Sequence, residues 1–262
     1  MFTSSQLLQL SDRGISLDQA SRQLEIFKKG IAPVQLVRPA IPGDGIEVFE
    51  NKEIDYYVSL FQKEKNEISV VKFVPASGAA SRMFKQLFEA FSEFTGDPYD
   101  YSTTLNKMPE VAGFFKDLKK YSFFDDLAVK CKAKGSDLDA MLETGNYAEI
   151  LDLFLSGRGL AYGELPKGLL KFHKYPHESR TAFEEHFIEA AMFLKDKNNH
   201  VKLHFTVSPE HRLLFESLAD KLKNKYLEKE KIHFEVEFSV QKPSTDTLAV
   251  DMENKPFIQD QG

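Results

Sequence analysis

Apolar positions along this chain recur at two spacings, and the changes between them divide it into segments. Residues 4–10 and 17–27 carry helical spacing, and the second run closes on Lys28-Lys29-Gly30, cations followed by a helix-ending glycine. The next stretch, IAPVQLVRPAIPGDGIEVF, holds three prolines that exclude helix, and Gly43-Asp44-Gly45 predicts a turn. Ile54, Tyr57, Val58 and Phe61 then form one stripe of a helix over 51–65. Residues 1–66 therefore make a helical and extended lead-in.

The first strong strand is ISVVKFVP (68–75), whose β-branched, nearly continuous apolarity predicts burial on both faces of a parallel sheet. A loop of small residues follows, Ala76-Ser77-Gly78-Ala79-Ala80-Ser81, and then a helix over 82–94 with Met83, Leu87, Phe88 and Phe91 on one side. Strand, tight loop and helix are the front of a βαβ unit. No convincing strand occurs over about 98–156, where 111–118, 123–131, 138–143 and 147–155 predict short helices of an insertion. Strand and helix then alternate: GLLKFHKY (168–175), a helix over 180–194, VKLHFTV (201–207), a helix over 209–227 begun by Ser208-Pro209, and IHFEVEFSV (232–240). TLAVDMENKPFI predicts a hairpin turning at Glu253-Asn254-Lys255. The expected fold is α/β: an open mixed, mostly parallel sheet with flanking helices, Rossmann-like, over 67–262.

The chain has 262 residues and a net charge of −6, without the cationic excess that a nucleic-acid coat protein needs, so no nucleic acid polymer is expected as partner. Cys131 is the single cysteine, which excludes an internal disulfide and points to a reducing, cytoplasmic compartment. No apolar run approaches the ~18 residues of a membrane span, so no membrane partner is expected.

Three segments can carry chemistry. In open α/β sheets ligands bind at the carboxyl ends of strands, where backbone N–H groups meet anions. The loop Ala76–Ser81 has that place: small residues admit a phosphate to the backbone, and Arg82 and Lys85 add charge. The bland reading of the same loop is packing. Lys167, in GELPKG, is a flexible point charge at the lip of a strand, or else a solvated turn lysine. Gln241, opening QKPSTD after a strand, can read a base or sugar edge, or else sits in a turn.

Taken in order, VPASGAASRM, LPKGLLKFHKY, LHFTVSPEH and FSVQKPSTDTLAVD resemble a bacterial family of unknown function that shares these blocks. That family is in turn similar to sugar-nucleotide pyrophosphorylases of the uridine-diphosphate-sugar branch, with their L-x-G-G-x-G-T-R-[LM] and later P-K-[GP] signatures. The resemblance implies a nucleotide-diphospho-sugar transferase-like fold, of which this chain spans the front half. It implies a nucleoside triphosphate and a sugar phosphate as partners, nucleotide-sugar formation with release of pyrophosphate, and Mg²⁺. By position it implies Arg82 and Lys167 as catalytic, with Ala76, Ser77, Gly78, Ala79, Ala80, Ser81, Lys85 and Gln241 holding the nucleotide.

Ser77 and Ala80 stand where the signature has glycines, and Pro75 deletes an N–H donor. In the similar enzymes the metal-holding aspartate lies beyond a later Gly-rich base-binding loop, past the front half that this chain is expected to span, so its position is left unassigned. Asp246 and Asp251 are carboxylates that also read as turn and surface acids. The departures suit a second possibility, a non-catalytic module that holds a nucleotide or sugar phosphate. A third is a protein with the fold only, docking through its helical insertion.

Other signals point to structure. His173 and His177 are separated by Pro176 and cannot share a helix face as a zinc pair would. His204 and His233 lie inside strands. Cys131 reads as a buried hydrophobe, and Phe114-Phe115 with Phe123-Phe124 as the core of a helical subdomain.

Overall fold

The computed structural model describes residues 2–65, 67–96 and 101–256. The chain forms two compact units, one of 1–64 with 241–262, the other of 65–240.

In the smaller unit α1 (Ser4–Asp12) opens on a capping box, with the Thr3 hydroxyl accepting from the Gln6 N–H and the Gln6 side chain answering to the Thr3 N–H. Helix α2 (Leu17–Lys29) ends, as its cations and glycine predict, at Gly30 with φ +74°. Two short strands, β1 (Ile41–Pro42) and β2 (Gly45–Ile46), flank the Gly43-Asp44 turn, which Arg38 braces with two hydrogen bonds to Asp44 at 2.6 and 2.8 Å. Helix α3 (Asn51–Glu64) follows. Leu10, Ile15 and Ala20 form the small core, with Leu248 of the C-terminal segment packed on it. That segment is tied by Arg13 to Asp246 at 2.5 Å and by the Leu248 N–H to Gln23 at 2.9 Å. In place of the expected hairpin there is a turn at Asn254 (φ +58°) closed by one bridge, Val250 to Pro256; residues 257 and 258 of that pattern lie outside the described residues.

The larger unit has two layers with separate cores. Its sheet is parallel, in the order β3 (Val71–Pro75), β6 (His200–Val207), β7 (His233–Val240). Helices α10 (Ala182–Phe193) and α11 (Arg212–Glu230) cover one face, where Val74, Leu203 and Phe205 meet Phe183, Phe187 and Phe215. Among the described residues the other face is left open, with Val71 49% and Phe73 63% exposed. The expectation of a strand buried on both faces is corrected accordingly, since β3 is an edge strand with helices on one side.

The second layer is helical. Helices α4 (Lys85–Gly96), α5 (Tyr101–Lys107), α6 (Pro109–Lys116), α7 (Phe124–Ala133), α8 (Leu138–Glu143) and α9 (Tyr147–Leu155) enclose Phe94, Leu118, Leu127, Ile150 and Phe154. Cys131 is fully buried here, and Phe114, Phe115 and Phe123 belong to this core as expected. The predicted helices of 98–156 are borne out over the described residues, α4 packing with them.

Three further boundaries are corrected. The helix predicted over 82–94 begins at Lys85, so Arg82 lies in a turn in which the Met83 N–H bonds the Ala80 carbonyl. The strand predicted over 168–175 is not in the parallel sheet: β4 (Lys171–Lys174) pairs antiparallel with β5 (Ser179–Thr181) across a turn at Pro176. The helix predicted from Pro209 starts with a 3₁₀ turn, Pro209–His211, and Ser208 spends its hydroxyl on His211 Nδ1 at 2.8 Å.

A partly buried charge network ties α10 to α11 and to β5. Glu184, 8% exposed, accepts from Lys225 Nζ at 2.6 Å and from the Tyr226 hydroxyl at 3.0 Å. Lys225 also reaches Glu178 at 2.9 Å, and Arg180 donates to Glu178 at 2.7 Å while lying over the Tyr175 ring. Burial and the adjacent Glu184 carboxylate raise the Tyr226 phenol far above its ordinary range, so it stays a donor.

Candidate functional site

Two of the predicted segments, some ninety residues apart, meet at the carboxyl end of β3. The Ala76 N–H continues the strand ladder to the Thr206 carbonyl at 2.7 Å. Beyond it the chain leaves the sheet, and the Lys167 N–H donates to the Gly78 carbonyl at 3.0 Å while Ala79 bridges Pro166 in antiparallel sense. A Cβ at Gly168 meets the Phe215 ring at 3.0 Å, so this residue is small because an aromatic of the sheet layer lies against it.

Both segments also join the two cores of the larger unit. Ala76 and Leu169 pack on the sheet core, whereas Ala80, Leu165 and Leu170 belong with the helical core. Packing alone therefore accounts for Ala76, Ala80 and Gly168. It does not account for Gly78, whose added Cβ has no atom within 4 Å. Gly78, Ala79, Ser81 and Arg82 are exposed and Ser77 is half-buried. Lys85 is exposed one turn from Glu89, with the charges 3.7 Å apart. Lys167 is exposed in the 3₁₀ turn Lys167–Leu169. Arg82 and Lys167 make no ion pair among the described residues. Gln241 belongs to the smaller unit, where its amide faces Thr245 at 3.5 Å.

A second group lies on the open face of the same sheet, where residues of neighbouring strands stand side by side. His204 on β6 is held from both ring nitrogens by β7: Nδ1 is 3.2 Å from Glu237 and Nε2 is 2.8 Å from the Ser239 hydroxyl. Thr206 shares that hydroxyl at 2.9 Å, and Phe73 of β3 stacks on the imidazole with planes 12° apart. An imidazole oriented by a carboxylate can take a proton from a hydroxyl at its other nitrogen. His204 stands inside a strand as expected, whereas nothing in its spacing points to Glu237 and Ser239 beside it. Their signal was the alternation of polar residues in HFEVEFSV, which only a strand register turns into neighbours.

Among the described residues no group of three or more His, Cys, Asp or Glu could hold a metal ion. None of the described helices is long and apolar enough to cross a membrane.

The chain belongs to a family described as a domain of unknown function, DUF4301, which matches residues 3–262. Comparison with curated proteins gives no match. Comparison with solved structures gives none either.

Proposed function

We propose that this protein is nucleotidyltransferase-like and binds a nucleoside triphosphate and a sugar phosphate where the Ala76–Ser81 loop meets Lys167. One observation carries the reading: the segments marked independently in the sequence share a backbone hydrogen bond, Lys167 N–H to Gly78 C=O at 3.0 Å, at the carboxyl end of a parallel strand. A three-stranded parallel sheet with crossover helices supports the finer Rossmann-like, transferase-like assignment.

In this mechanism an oxygen of the sugar 1-phosphate attacks the α-phosphorus of the triphosphate. The bond from the α-phosphorus to the bridging oxygen breaks, and pyrophosphate leaves with that electron pair. Gly78 admits the phosphates to the backbone, and Arg82 and Lys167 balance the charge that develops in the transition state. Mg²⁺ would neutralise charge on the triphosphate. The described residues offer no acid cluster to hold it, so no step is assigned to it.

The test is pyrophosphate release from mixtures of a nucleoside triphosphate and a sugar 1-phosphate, measured on the wild type, Arg82→Ala and Lys167→Ala. The reading expects turnover in the wild type and a fall of roughly 10²–10³-fold in each variant. Triphosphate binding without release in any mixture selects the carrier or sensor reading instead.

A further inference from the structure

Between the helical layer and β4 the larger unit has a half-open pocket of about 400 Å³, within the size range of small-molecule sites. Its wall is aromatic, built by Phe84, Phe114, Tyr121, Phe123, Phe154 and Tyr162. Tyr121 and Phe123 lie 5.3 Å apart with planes 9° from parallel, and Phe114 and Tyr121 lie 5.5 Å apart at 25°. These rings stack on one another and together line the open space beside them.

Two polar side chains that face this space are themselves more than nine-tenths buried, Tyr162 at 6% and Ser122 at 8% exposed. Both fix the backbone of Lys171. The Tyr162 hydroxyl accepts its N–H at 3.1 Å, and the Ser122 hydroxyl donates to its carbonyl at 2.5 Å. Used as an acceptor, the Tyr162 oxygen still has a proton to donate. Burial keeps that proton on, pushing the phenol up to about 12.

The charged groups lining the cavity are Lys120, Lys171 and Lys174 against Glu110. Lys120 and Lys171 lean on Asp117 and Asp126, each at 2.6 Å, and neither acid lines the cavity. The Lys174 ammonium donates to the Lys119 carbonyl at 3.2 Å and has no carboxylate partner among the described residues. An aromatic wall with one ammonium that no carboxylate neutralises and one buried hydroxyl donor recognises a flat ring that bears an anion.

We propose that this pocket binds a planar aromatic molecule carrying an acidic group, its ring against the stacked Phe114, Tyr121 and Phe123 and its anion toward Lys174. The site is separate from the proposed phosphate site, since neither Arg82 nor Lys167 lines it.

The test uses two fluorescent probes on the full chain: 8-anilinonaphthalene-1-sulfonate, aromatic and anionic, and N-phenyl-1-naphthylamine, with the same rings and no charge. The wild type binds both, the sulfonate more tightly. Lys174→Glu, a change at an exposed side chain, weakens the sulfonate about tenfold and leaves the neutral probe unchanged. Met83→Trp, at a half-exposed wall position, fills the cavity and removes both. Arg82→Ala and Lys167→Ala alter neither, which keeps this result distinct from triphosphate binding. Failure of the wild type to bind the probes overturns the proposal. So does sulfonate affinity indifferent to Lys174→Glu, or binding that survives Met83→Trp and therefore lies on another apolar surface. Should Met83→Trp unfold, the probe pair on Lys174→Glu decides.

Discussion

The Lys167 N–H and the Gly78 carbonyl are 3.0 Å apart, and that bond ties the loop after the first strand of the parallel sheet to the turn before β4. The same two segments join the sheet core to the helical core. A role in ligand binding must therefore be separated experimentally from a role in packing.

Gly78 allows that separation. An added Cβ there points into open space and φ is not positive, so Gly78→Ala should change stability by less than about 1 kcal/mol in urea unfolding. Its triphosphate affinity should nevertheless fall, because a methyl group now stands where the phosphate approaches the backbone. Gly159→Ala is the opposite case: its Cβ would sit 1.9 Å from the Leu153 carbonyl oxygen, and the forced backbone shift should cost about 2 kcal/mol or more.

Arg82→Ala and Lys167→Ala remove exposed cations. Their unfolding midpoints should match the wild type to within about 0.5 kcal/mol. Triphosphate dissociation constants measured by calorimetry should rise about ten- to a hundredfold in each, the worth of a charge-assisted contact.

Glu184 is a buried acid held by two donors. Glu184→Ala leaves the Tyr226 hydroxyl and one side of the Lys225 ammonium without their buried acceptor, and should cost about 3 kcal/mol in chemical unfolding. A loss below about 1 kcal/mol would show that water replaces the carboxylate there.

Acid stability follows from Glu178. Hydrogen bonds from Lys225 and Arg180 hold its carboxyl at about 2, below the ordinary 4.5. A folded-state value depressed in this way stabilises above the unfolded value, and the gain is lost as pH falls from about 4.5 toward 2. Glu178→Gln should flatten the stability–pH curve across that window while changing its slope little near neutrality. An unchanged acid limb in the variant would remove Glu178 from the account.

The sequence made some of this arrangement legible because local chemistry set it. Lys28-Lys29-Gly30 marked a helix end, and the runs in 201–207 and 232–240 marked strands of a parallel sheet. The open face of that sheet was readable in the alternation of Glu235, Glu237 and Ser239 with Phe234, Val236 and Phe238, but β3 lacks such alternation and was taken as doubly buried. β5 was missed because three residues, Ser-Arg-Thr, carry no periodicity; it is a strand through pairing with β4. The helix expected over 180–194 starts at Ala182, where the Glu184 N–H bonds the Thr181 hydroxyl at 3.1 Å and the Glu184 side chain goes to Lys225 instead of back to the cap. The aromatic cavity left no trace in spacing. Its wall comes from segments that meet only once the helical core has formed.

The measurement closest to the central claim is a thermal-unfolding panel on the full chain, with the four nucleoside triphosphates and a set of sugar 1-phosphates, each with and without Mg²⁺. A ligand at about 100 times its dissociation constant adds about 2.7 kcal/mol of stability, a shift of a few degrees for a protein of this size. The account predicts such a shift for at least one triphosphate in the wild type, and its loss in the Arg82→Ala/Lys167→Ala double variant. A flat panel in the wild type, or a shift that the double variant keeps in full, contradicts it.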